Sequence, residues 1–380
     1  MKEALHIGAG KIGRGFIGAE LINSGYQVTF ADVNSKLINA LNDKKEYTLH
    51  IMERDGCCQK LTNFNAVEIG SDEFFERFIQ ADIVTTAVSM AVLPKIAPTI
   101  ATALYKRRIN GCKSTLNIIC CENGVRATSQ LKNCVQQYLD TETDRWRQEF
   151  IGFADCSVDR IVPITTFDNP LDVGVERYCE WNIDKHQIVG TLHTITNVHF
   201  TDNLEAAVER KLYTLNTAHC ATAYLGAQRG YSYIHEAICD PYIRQSVEQI
   251  ISQSNAALIT KFGFDSLTQQ QYAKSVLHRF ENSLLGDTVA RVARDPMRKL
   301  SPTLYFAYPA SLALKYALAT DALALAVAAT MRYRREDDNQ SQQLASLIAQ
   351  MGVAQSVQMV TGITDRAFIE CVEKKYREFY

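Results

Sequence analysis

The sequence predicts an α/β protein of two domains, with a doubly wound parallel sheet over residues 1–202 and a mostly α-helical domain over residues 203–380. Three observations support this fold class. A glycine-rich turn follows the first apolar segment, unalternating β-branched runs recur up to about residue 121, and segments of helical periodicity dominate after about residue 203. Because 380 residues exceed the size at which a single hydrophobic core stops growing, two cores are expected.

The first element is a short apolar strand at residues 4–7, followed directly by a Gly-x-Gly-x-x-Gly turn. Such a turn makes a tight strand-to-helix connection, lets backbone approach a pyrophosphate, and lets the helix pack closely on the strand. The phosphate then lies at the positive end of the helix. This pattern predicts a Rossmann-like dinucleotide site formed by Gly8, Ala9, Gly10, Lys11, Ile12 and Gly13.

A second apolar strand, residues 27–31, follows the predicted helix and ends at Asp32. A carboxylate at this distance from the glycines accepts hydrogen bonds from an adenosine ribose and repels a 2′-phosphate, so Asp32 favours NAD over NADP. Arg14 and Lys36 lie nearby in the sequence and oppose this preference. The alternative is that the glycines only make a turn and that Asp32 caps the following segment.

Residues 47–52 and 66–69 form short strand-like pieces that we expect to extend the sheet. Residues 82–88 and 116–121 are β-branched runs, typical of parallel strands buried on both faces. Ligands of open parallel sheets bind beyond the carboxyl ends of the strands. The residues at the ends of these two runs and just after them are therefore predicted to face the cofactor, namely Thr86, Ala87, Val88, Ser89, Glu122, Asn123 and Gly124.

The second domain is predicted from long periodic segments whose prolines are confined to a few joints. The predicted helices cover residues 203–226, 242–262, 268–283, 310–331 and 340–351. The first of them carries Lys211, Asn216 and His219, which span only about 140° of an α-helix and could face one cleft. Burial of Lys211 would favour a neutral amine that removes a proton from an alcohol. A solvated helix face is the alternative interpretation.

Composition excludes several classes of function. Forty Lys and Arg residues balance 42 Asp and Glu residues, so no global field favours nucleic acid or an anionic membrane. The longest apolar stretches are too short to span a bilayer, and the chain starts with a strand rather than a signal peptide, so a cytoplasmic protein is expected. Eleven cysteines without Cys-x-x-Cys spacing suit a reducing compartment, and no motif indicates a metal.

The spacing Lys-x-x-x-x-Asn-x-x-His at residues 211–219 resembles the signature of the polyol-specific long-chain dehydrogenases. Segments 8–18, 30–34, 84–88, 121–123, 158–163, 298–301 and 335–338 are also similar to that family, so the resemblance runs nearly end to end. It implies that Lys211 is the general base and that Asn123 and Asn216 donate hydrogen bonds to the reacting oxygen. It further implies that Asp159 binds substrate hydroxyls, that His219 contacts the reacting oxygen or orients Lys211, and that no metal is needed.

Within the family, the resemblance implies interconversion of mannitol 1-phosphate and fructose 6-phosphate, with Arg298 or Lys299 holding the phosphate. The sequence departs from the phosphate-specific pattern at residues 302–309, where basic groups are missing, and at Ser89, where glycine is common. Two alternatives therefore stay open. The same chemistry could serve an unphosphorylated polyol or hexonate (mannitol, arabinitol, altronate or mannonate), or the chain could be a catalytically silent NAD-binding sensor. Whether the protein is a monomer or a dimer is left open.

Overall fold

A computed structural model describes residues 2–163 and 165–379 of the chain. The chain divides into two compact units, Met1–Ala207 and Val208–Tyr380. The boundary expected from the sequence, after residue 202, lies slightly earlier, ahead of the helix that begins at Leu204.

Twelve strands lie in the described part of the first unit. They are β1 (Lys2–Ile7), β2 (Tyr26–Asp32), β3 (Tyr47–Ile51), β4 (Cys58–Leu61), β5 (Phe64–Glu68), β6 (Ile83–Thr86), β7 (Leu116–Cys120), β8 (Ile151–Phe153), β9 (Cys156–Asp159), β10 (Val173–Val175), β11 (Glu180–Asp184) and β12 (Val198–Thr201). Six of them form a parallel sheet of order β5-β2-β1-β6-β7-β8. This is the order of the doubly wound nucleotide-binding fold, so the predicted fold class is confirmed.

The register of this sheet places the ends of its central strands side by side. Ile7 at the end of β1 pairs with Ala31 on one side and with Thr86 on the other. The direction in which successive strands are added reverses between β1 and β6, and a crevice opens at such a switch point beyond the carboxyl ends. The residues that follow Ile7, Ala31 and Thr86 therefore line one edge of the sheet.

The structure corrects the expectation that residues 47–52 extend this sheet. The strand β3 pairs instead with β4 and β10 in a separate three-stranded sheet, whereas β5, predicted at 66–69, does lie at the edge of the main sheet. The reason is the burial pattern of β3, in which Tyr47 and Leu49 are buried and the other three residues are half-buried. Such alternation suits a sheet covered on one face only. A third sheet has the order β12-β11-β9.

Several helices of this part of the chain pack on the main sheet, and the last helix runs across the boundary between the two units. After the glycine turn come a π-helical turn (Gly13–Ile17), α1 (Gly18–Asn23), α2 (Ser35–Lys44), α3 (Asp72–Gln80), α4 (Leu93–Ile109), α5 (Ala127–Gln136), α6 (Thr141–Phe150), a 3₁₀ turn (Lys185–Gln187) and α7 (Leu204–Arg210). Side-chain caps set several starts: Asn34, Ser71 and Asp140 accept hydrogen bonds from backbone N–H groups in the first turns of α2, α3 and α6.

The second unit is mostly helical, with one isolated antiparallel bridge between Tyr233 and Thr288 among its described residues. It contains a π-helical segment (Lys211–Asn216), α8 (Thr217–Gln228), α9 (Ile234–Cys239), α10 (Pro241–Phe262), α11 (Ser266–Phe280), a 3₁₀ turn (Ser283–Leu285), α12 (Val289–Ala293), α13 (Pro296–Lys299), α14 (Ala307–Lys315), α15 (Asp321–Arg332), α16 (Asn339–Thr361) and α17 (Arg366–Glu378). Helix α8 is buried on almost all sides, and α9, α10, α12 and α15 pack around it.

One predicted helix of this unit is wrong. Residues 310–331 form two helices, α14 and α15, separated by a turn in which Ala317 has φ 53°. The turn is closed by the Leu318 N–H, which donates to the Ala313 carbonyl. No glycine or proline marks this break, so the apolar periodicity runs across it unnoticed.

In the part of the chain that the structure describes, no helix combines the length and apolar character needed to cross a bilayer.

Candidate active site

The glycine turn after β1 is shaped by close packing on two sides. A Cβ on Gly8, whose φ is 104°, would lie 2.6 Å from the Ala87 carbonyl oxygen, and a Cβ on Gly13 would lie 2.0 Å from the Gly8 carbonyl oxygen. Gly10 differs, because nothing lies within 4 Å of the position its Cβ would take. Gly8 and Gly13 are therefore required by the fold, whereas the open side of Gly10 fits a ligand that approaches the backbone.

Asp32 stands at the end of β2 and faces this turn. Its two carboxylate oxygens accept hydrogen bonds from the backbone N–H groups of Ala9, at 2.8 Å, and Asn34, at 2.9 Å. Each oxygen keeps a further lone pair, and the side chain is only partly buried. The carboxylate is thus fixed in orientation and can still accept from a pair of vicinal hydroxyls.

Arg14, which from the sequence is expected to oppose the preference for NAD over NADP, does not extend to solvent. Its buried guanidinium donates to the Ala9 carbonyl and, at 3.2 Å, to the Leu171 carbonyl. Burial lowers the pKa of Arg14, an effect that nearby Tyr47, Asp32 and Asp172 oppose. Arg14 therefore holds the glycine turn from behind and is not placed to bind a 2′-phosphate.

The other two residues of the turn differ in exposure. Lys11 is partly buried and its ammonium donates to the Thr165 carbonyl, while the Ile12 side chain is half-exposed. Lys36 is exposed on α2.

Glu122 organises the loop after β6. Its carboxylate accepts hydrogen bonds from the Thr86 hydroxyl, at 2.8 Å, and from the Val88 N–H, at 2.9 Å. Burial raises the pKa of Glu122, and these hydrogen bonds, which stabilise the carboxylate, offset only part of that increase. The next residue of the loop, Ser89, has φ 96°, a conformation that favours glycine. Serine thus replaces the glycine that is common here, although the backbone has a positive φ that favours glycine.

Asn123 and Asp159 occupy different places in the first unit. Asn123 follows β7 and is exposed, at the carboxyl edge of the main sheet. Asp159 is buried at the end of β9 in the third sheet, opposite Glu180. The neighbouring Arg160 forms a buried ion pair with Glu20 at 3.0 Å.

In the second unit, Lys211 and Asn216 lie at the two ends of the π-helical segment. The sequence prediction assumed about 100° per residue throughout, and this assumption is wrong here. A π-helix closes i→i+5 hydrogen bonds and turns less per residue than an α-helix, so residues five apart come to nearly the same side. Isolated π turns inside helices are frequent at functional sites. The π-helical winding therefore makes the side chains of Lys211 and Asn216 leave the helix axis in more similar directions than an α-helix would.

His219, in the first turn of α8, is held by residues that the sequence did not indicate. Its Nε2 lies 2.7 Å from Asp287 Oδ2, and its ring stacks on Phe280 with centroids 4.9 Å apart. The other Asp287 oxygen accepts two hydrogen bonds from Arg291. Burial would raise the pKa of Asp287, but the hydrogen bonds from His219 and Arg291 lower it below its usual range. Since a carboxylate only accepts, Nε2 carries a proton and donates a hydrogen bond to Asp287, and in the neutral imidazole Nδ1 is the accepting nitrogen.

Asn216 has a buried oxygen, Oδ1, without a hydrogen-bond partner. The side chains of Asn216 and Arg298 both lie near Tyr305, whose pKa is raised by burial, an effect that these two neighbours partly oppose. Tyr305 lies in the segment 302–309, where the sequence showed no basic group. Tyr305 thus lies near both Asn216, whose amide oxygen is buried and unpartnered, and the exposed guanidinium of Arg298.

The two basic residues predicted to hold a phosphate are placed differently. Arg298 is exposed and only 4.0 Å from Asp295 in a loose ion pair. Lys299 is buried, donates to the Val292 carbonyl and lies 5.7 Å from the centre of the Tyr224 ring. Burial lowers the pKa of Lys299. The Lys299 ammonium thus lies inside the helical core whereas Arg298 is exposed, and the phosphate role of either residue stays a prediction.

The described residues contain no group of three or more His, Cys, Asp or Glu side chains arranged to hold a metal ion.

The sheet order, the glycine turn and the acid at the end of β2 define the first unit as a dinucleotide-binding domain of the dehydrogenase type. Comparison with protein families agrees with this class. The mannitol dehydrogenase Rossmann domain matches residues 2–197, and the mannitol dehydrogenase C-terminal domain matches residues 203–380. The chain therefore belongs to the mannitol dehydrogenase family and is an oxidoreductase.

Two solved structures are similar over nearly the whole chain. One is mannitol 2-dehydrogenase of Pseudomonas fluorescens in a ternary complex with NAD and D-mannitol, with 18% identity, a TM-score of 0.74, and coverage of 99% of this chain and 91% of that chain. The other is D-sorbitol dehydrogenase in substrate-free form, with 16% identity, a TM-score of 0.86, and coverage of 100% and 94%. At these identities the similarity establishes the shared fold.

Proposed function

We propose that this protein is an NAD-dependent oxidoreductase that interconverts D-mannitol 1-phosphate and D-fructose 6-phosphate, the activity of a mannitol-1-phosphate 5-dehydrogenase. The observation that carries the proposal is the cluster in the second unit. Lys211 and Asn216 share one π-helical segment, His219 is fixed by Asp287, and both Asn216 and the exposed Arg298 lie near Tyr305. A base, a group for the reacting oxygen and a cation for an anionic substrate end are thus supplied together.

The first unit fits NAD. The open side of Gly10 accommodates a pyrophosphate, and Asp32 keeps lone pairs for the ribose hydroxyls. Arg14 turns inward, which removes one of the two cations that could have favoured a 2′-phosphate, while Lys36 stays exposed on α2. Thr86, Ala87 and Val88, held by Glu122, form the loop on the other side of the switch point. Bound nicotinamide supplies the hydride chemistry.

The second unit supplies the proton chemistry. During oxidation a neutral Lys211 amine accepts the proton of the substrate hydroxyl, and during reduction the ammonium returns it. The Asn216 amide meets the same oxygen, with Asn123 as the second predicted donor, and such contacts lower the barrier where negative charge develops. Asp159 is assigned to substrate hydroxyls. His219, with its tautomer set by Asp287, orients Lys211 or the reacting oxygen.

Arg298 is assigned to the substrate phosphate. A guanidinium binds phosphate with two parallel hydrogen bonds, and Arg298 is exposed and only loosely paired. The alternative substrates are unphosphorylated polyols or hexonates. They are favoured by the absence of Lys and Arg from residues 302–309 and by the substrates named for the two similar structures. A catalytically silent NAD-binding sensor is the alternative of a different class.

The decisive experiment compares NADH oxidation with fructose 6-phosphate, fructose and tagaturonate, in the presence of a chelator. We expect fructose 6-phosphate to be strongly preferred. Lys211→Ala should lower kcat by about 10²- to 10⁴-fold, the usual size of general acid–base catalysis, while NADH binding and the melting temperature stay unchanged. Preference for fructose or tagaturonate would move the assignment to the unphosphorylated substrates. NADH binding without turnover of any of the three would favour the sensor.

A second experiment tests the phosphate assignment. Arg298→Gln should raise KM for fructose 6-phosphate roughly 10- to 100-fold, the equivalent of about 1.5–3 kcal/mol for a charge-assisted hydrogen bond. Arg294→Gln is the matched control, because Arg294 is also an exposed arginine of the same segment. Equal effects of the two substitutions, or a KM that Arg298→Gln leaves unaltered, would remove Arg298 from the phosphate site.

A further inference from the structure

A cysteine, a histidine and an aspartate form a hydrogen-bonded chain in the small sheet of the first unit, outside the candidate active site. Cys58 at the start of β4 lies directly opposite His50 on β3. Its Sγ is 3.2 Å from His50 Nδ1, and His50 Nε2 is 3.2 Å from Asp172 Oδ2. Asp172 is a carboxylate that only accepts, so Nε2 carries a proton, and in the neutral imidazole the Nδ1 lone pair faces the thiol.

This arrangement is held rigidly. The His50 ring stacks on Phe167 with centroids 4.2 Å apart and an interplanar angle of 10°. Asp172 Oδ1 accepts hydrogen bonds from the Thr48 N–H, at 2.9 Å, and from the Asn169 amide, at 2.7 Å. A nucleophile next to a base that a third group orients is the general form of an activated nucleophile. The Cys58 thiol itself is exposed, so a reagent can reach it.

The adjacent Cys57 provides an internal contrast. It is also exposed, but it lies among the charged side chains of the β3–β4 turn. Arg177, the cation that interacts electrostatically with Cys57, is bound to Glu53 at 2.7 Å and to Asp55 at 3.2 Å. His50, in contrast, directs its Nδ1 to the Sγ of Cys58.

The same aspartate leads to the glycine turn. Asp172 directly follows Leu171, whose carbonyl accepts a hydrogen bond from Arg14 at 3.2 Å. Arg14 in turn donates to the carbonyl of Ala9, and the Ala9 N–H donates to Asp32. Displacement of His50 from Asp172 would thus disturb a segment that holds the nucleotide-binding turn from behind.

We propose that Cys58 is an activated thiol that is modified by small disulfides, and that this modification weakens dinucleotide binding. His50 Nδ1 removes the thiol proton, and Sγ attacks one sulfur of the disulfide. A new bond joins Cys58 to that sulfur, the original sulfur–sulfur bond breaks, and the leaving thiolate takes the proton from His50. Cys58 is oxidised to a mixed disulfide while half of the reagent is reduced to a thiol. The effect on the cofactor rests on the proposed NAD function.

The test is the rate of modification of each thiol in the folded protein by oxidised glutathione, followed by peptide mass spectrometry. We expect Cys58 to react at least tenfold faster than Cys57 and Cys239, the other exposed cysteines. His50→Gln should reduce the Cys58 rate to that of Cys57. Asp172→Asn, if it folds, should give an intermediate rate. Equal rates at Cys57 and Cys58, or a His50→Gln variant as fast as the wild type, would overturn the activated thiol.

The coupling is tested by NADH titration before and after modification. We expect the modified protein to bind NADH at least threefold more weakly. A Cys58→Ser variant treated in the same way should be unaffected, and a Cys57→Ser variant should behave as the wild type. Unchanged NADH affinity after complete modification would overturn the coupling. Failure of the untreated protein to bind NADH would count against the proposed function, and the thiol rates would still decide the reactivity of Cys58.

Discussion

The two glycines at positions 10 and 13 are expected to fail in different ways when replaced by alanine. A methyl group on Gly13 would lie 2.0 Å from the Gly8 carbonyl oxygen and 2.6 Å from His6 Nε2, both inside the fold. Ordinary non-bonded contacts need about 3.5 Å, so the helix has to move by roughly 1 Å or more. Overpacking of this kind costs about 1–3 kcal/mol, which lowers the melting temperature of a unit of this size by about 2–12 °C.

Gly10→Ala has no such clash, because the space around its Cβ position is open. Its stability should be unchanged or slightly higher, since alanine lowers the entropy of the unfolded chain. The methyl group would instead occupy the space of the pyrophosphate. If the clash with the ligand costs the same 1–3 kcal/mol, Kd for NADH rises about 5- to 150-fold.

Thermal unfolding and fluorescence titration with NADH, both done on the two variants and the wild type, separate these effects. A Gly10→Ala variant that binds NADH as tightly as the wild type would refute the placement of the pyrophosphate at this turn. A Gly13→Ala variant as stable as the wild type would refute the packing argument for the third glycine.

Three further predictions concern side chains around the two candidate sites. Ser89→Gly should stabilise the protein by about 1 kcal/mol, or roughly 2–4 °C in melting temperature, because it relieves the positive φ; a lower melting temperature would contradict this. Burial raises the folded-state pKa of Glu122 above the usual 4.5. The wild type is therefore expected to lose stability, relative to Glu122→Gln, as pH rises from 4.5 to the folded-state pKa. Melting curves from pH 4 to 8 should show the difference, variant minus wild type, growing with pH, and a constant difference would refute it. Asp287→Asn should lower kcat about 10- to 100-fold with NADH affinity retained, because His219 loses the carboxylate that sets its tautomer; steady-state kinetics beside NADH titration checks this.

Local chemistry explains why much of the first unit was predictable. The glycine spacing, the β-branched runs at 82–88 and 116–121 and the acid after β2 are all short-range patterns, and each has one main structural solution. The strand that left the main sheet, β3, shows the limit of such patterns. A five-residue apolar segment specifies a strand, but its partner strands β4 and β10 are chosen by packing, and β10 lies more than 100 residues away.

The candidate site divides in the same way. The sequence by itself determined which residue types are available: Lys211, Asn216 and His219 at one spacing, Asp32 after its strand, and the glycines in their order. Only the tertiary structure decided their surroundings. In the folded chain, residues 211–216 form a π-helix, Arg14 points inward and Lys299 is buried. Asp287 contacts His219, and Tyr305 lies near Asn216. The physical reason is that burial and most of these partners depend on residues far apart in the chain, such as Asp287, 68 positions from His219, and no local pattern encodes such pairs.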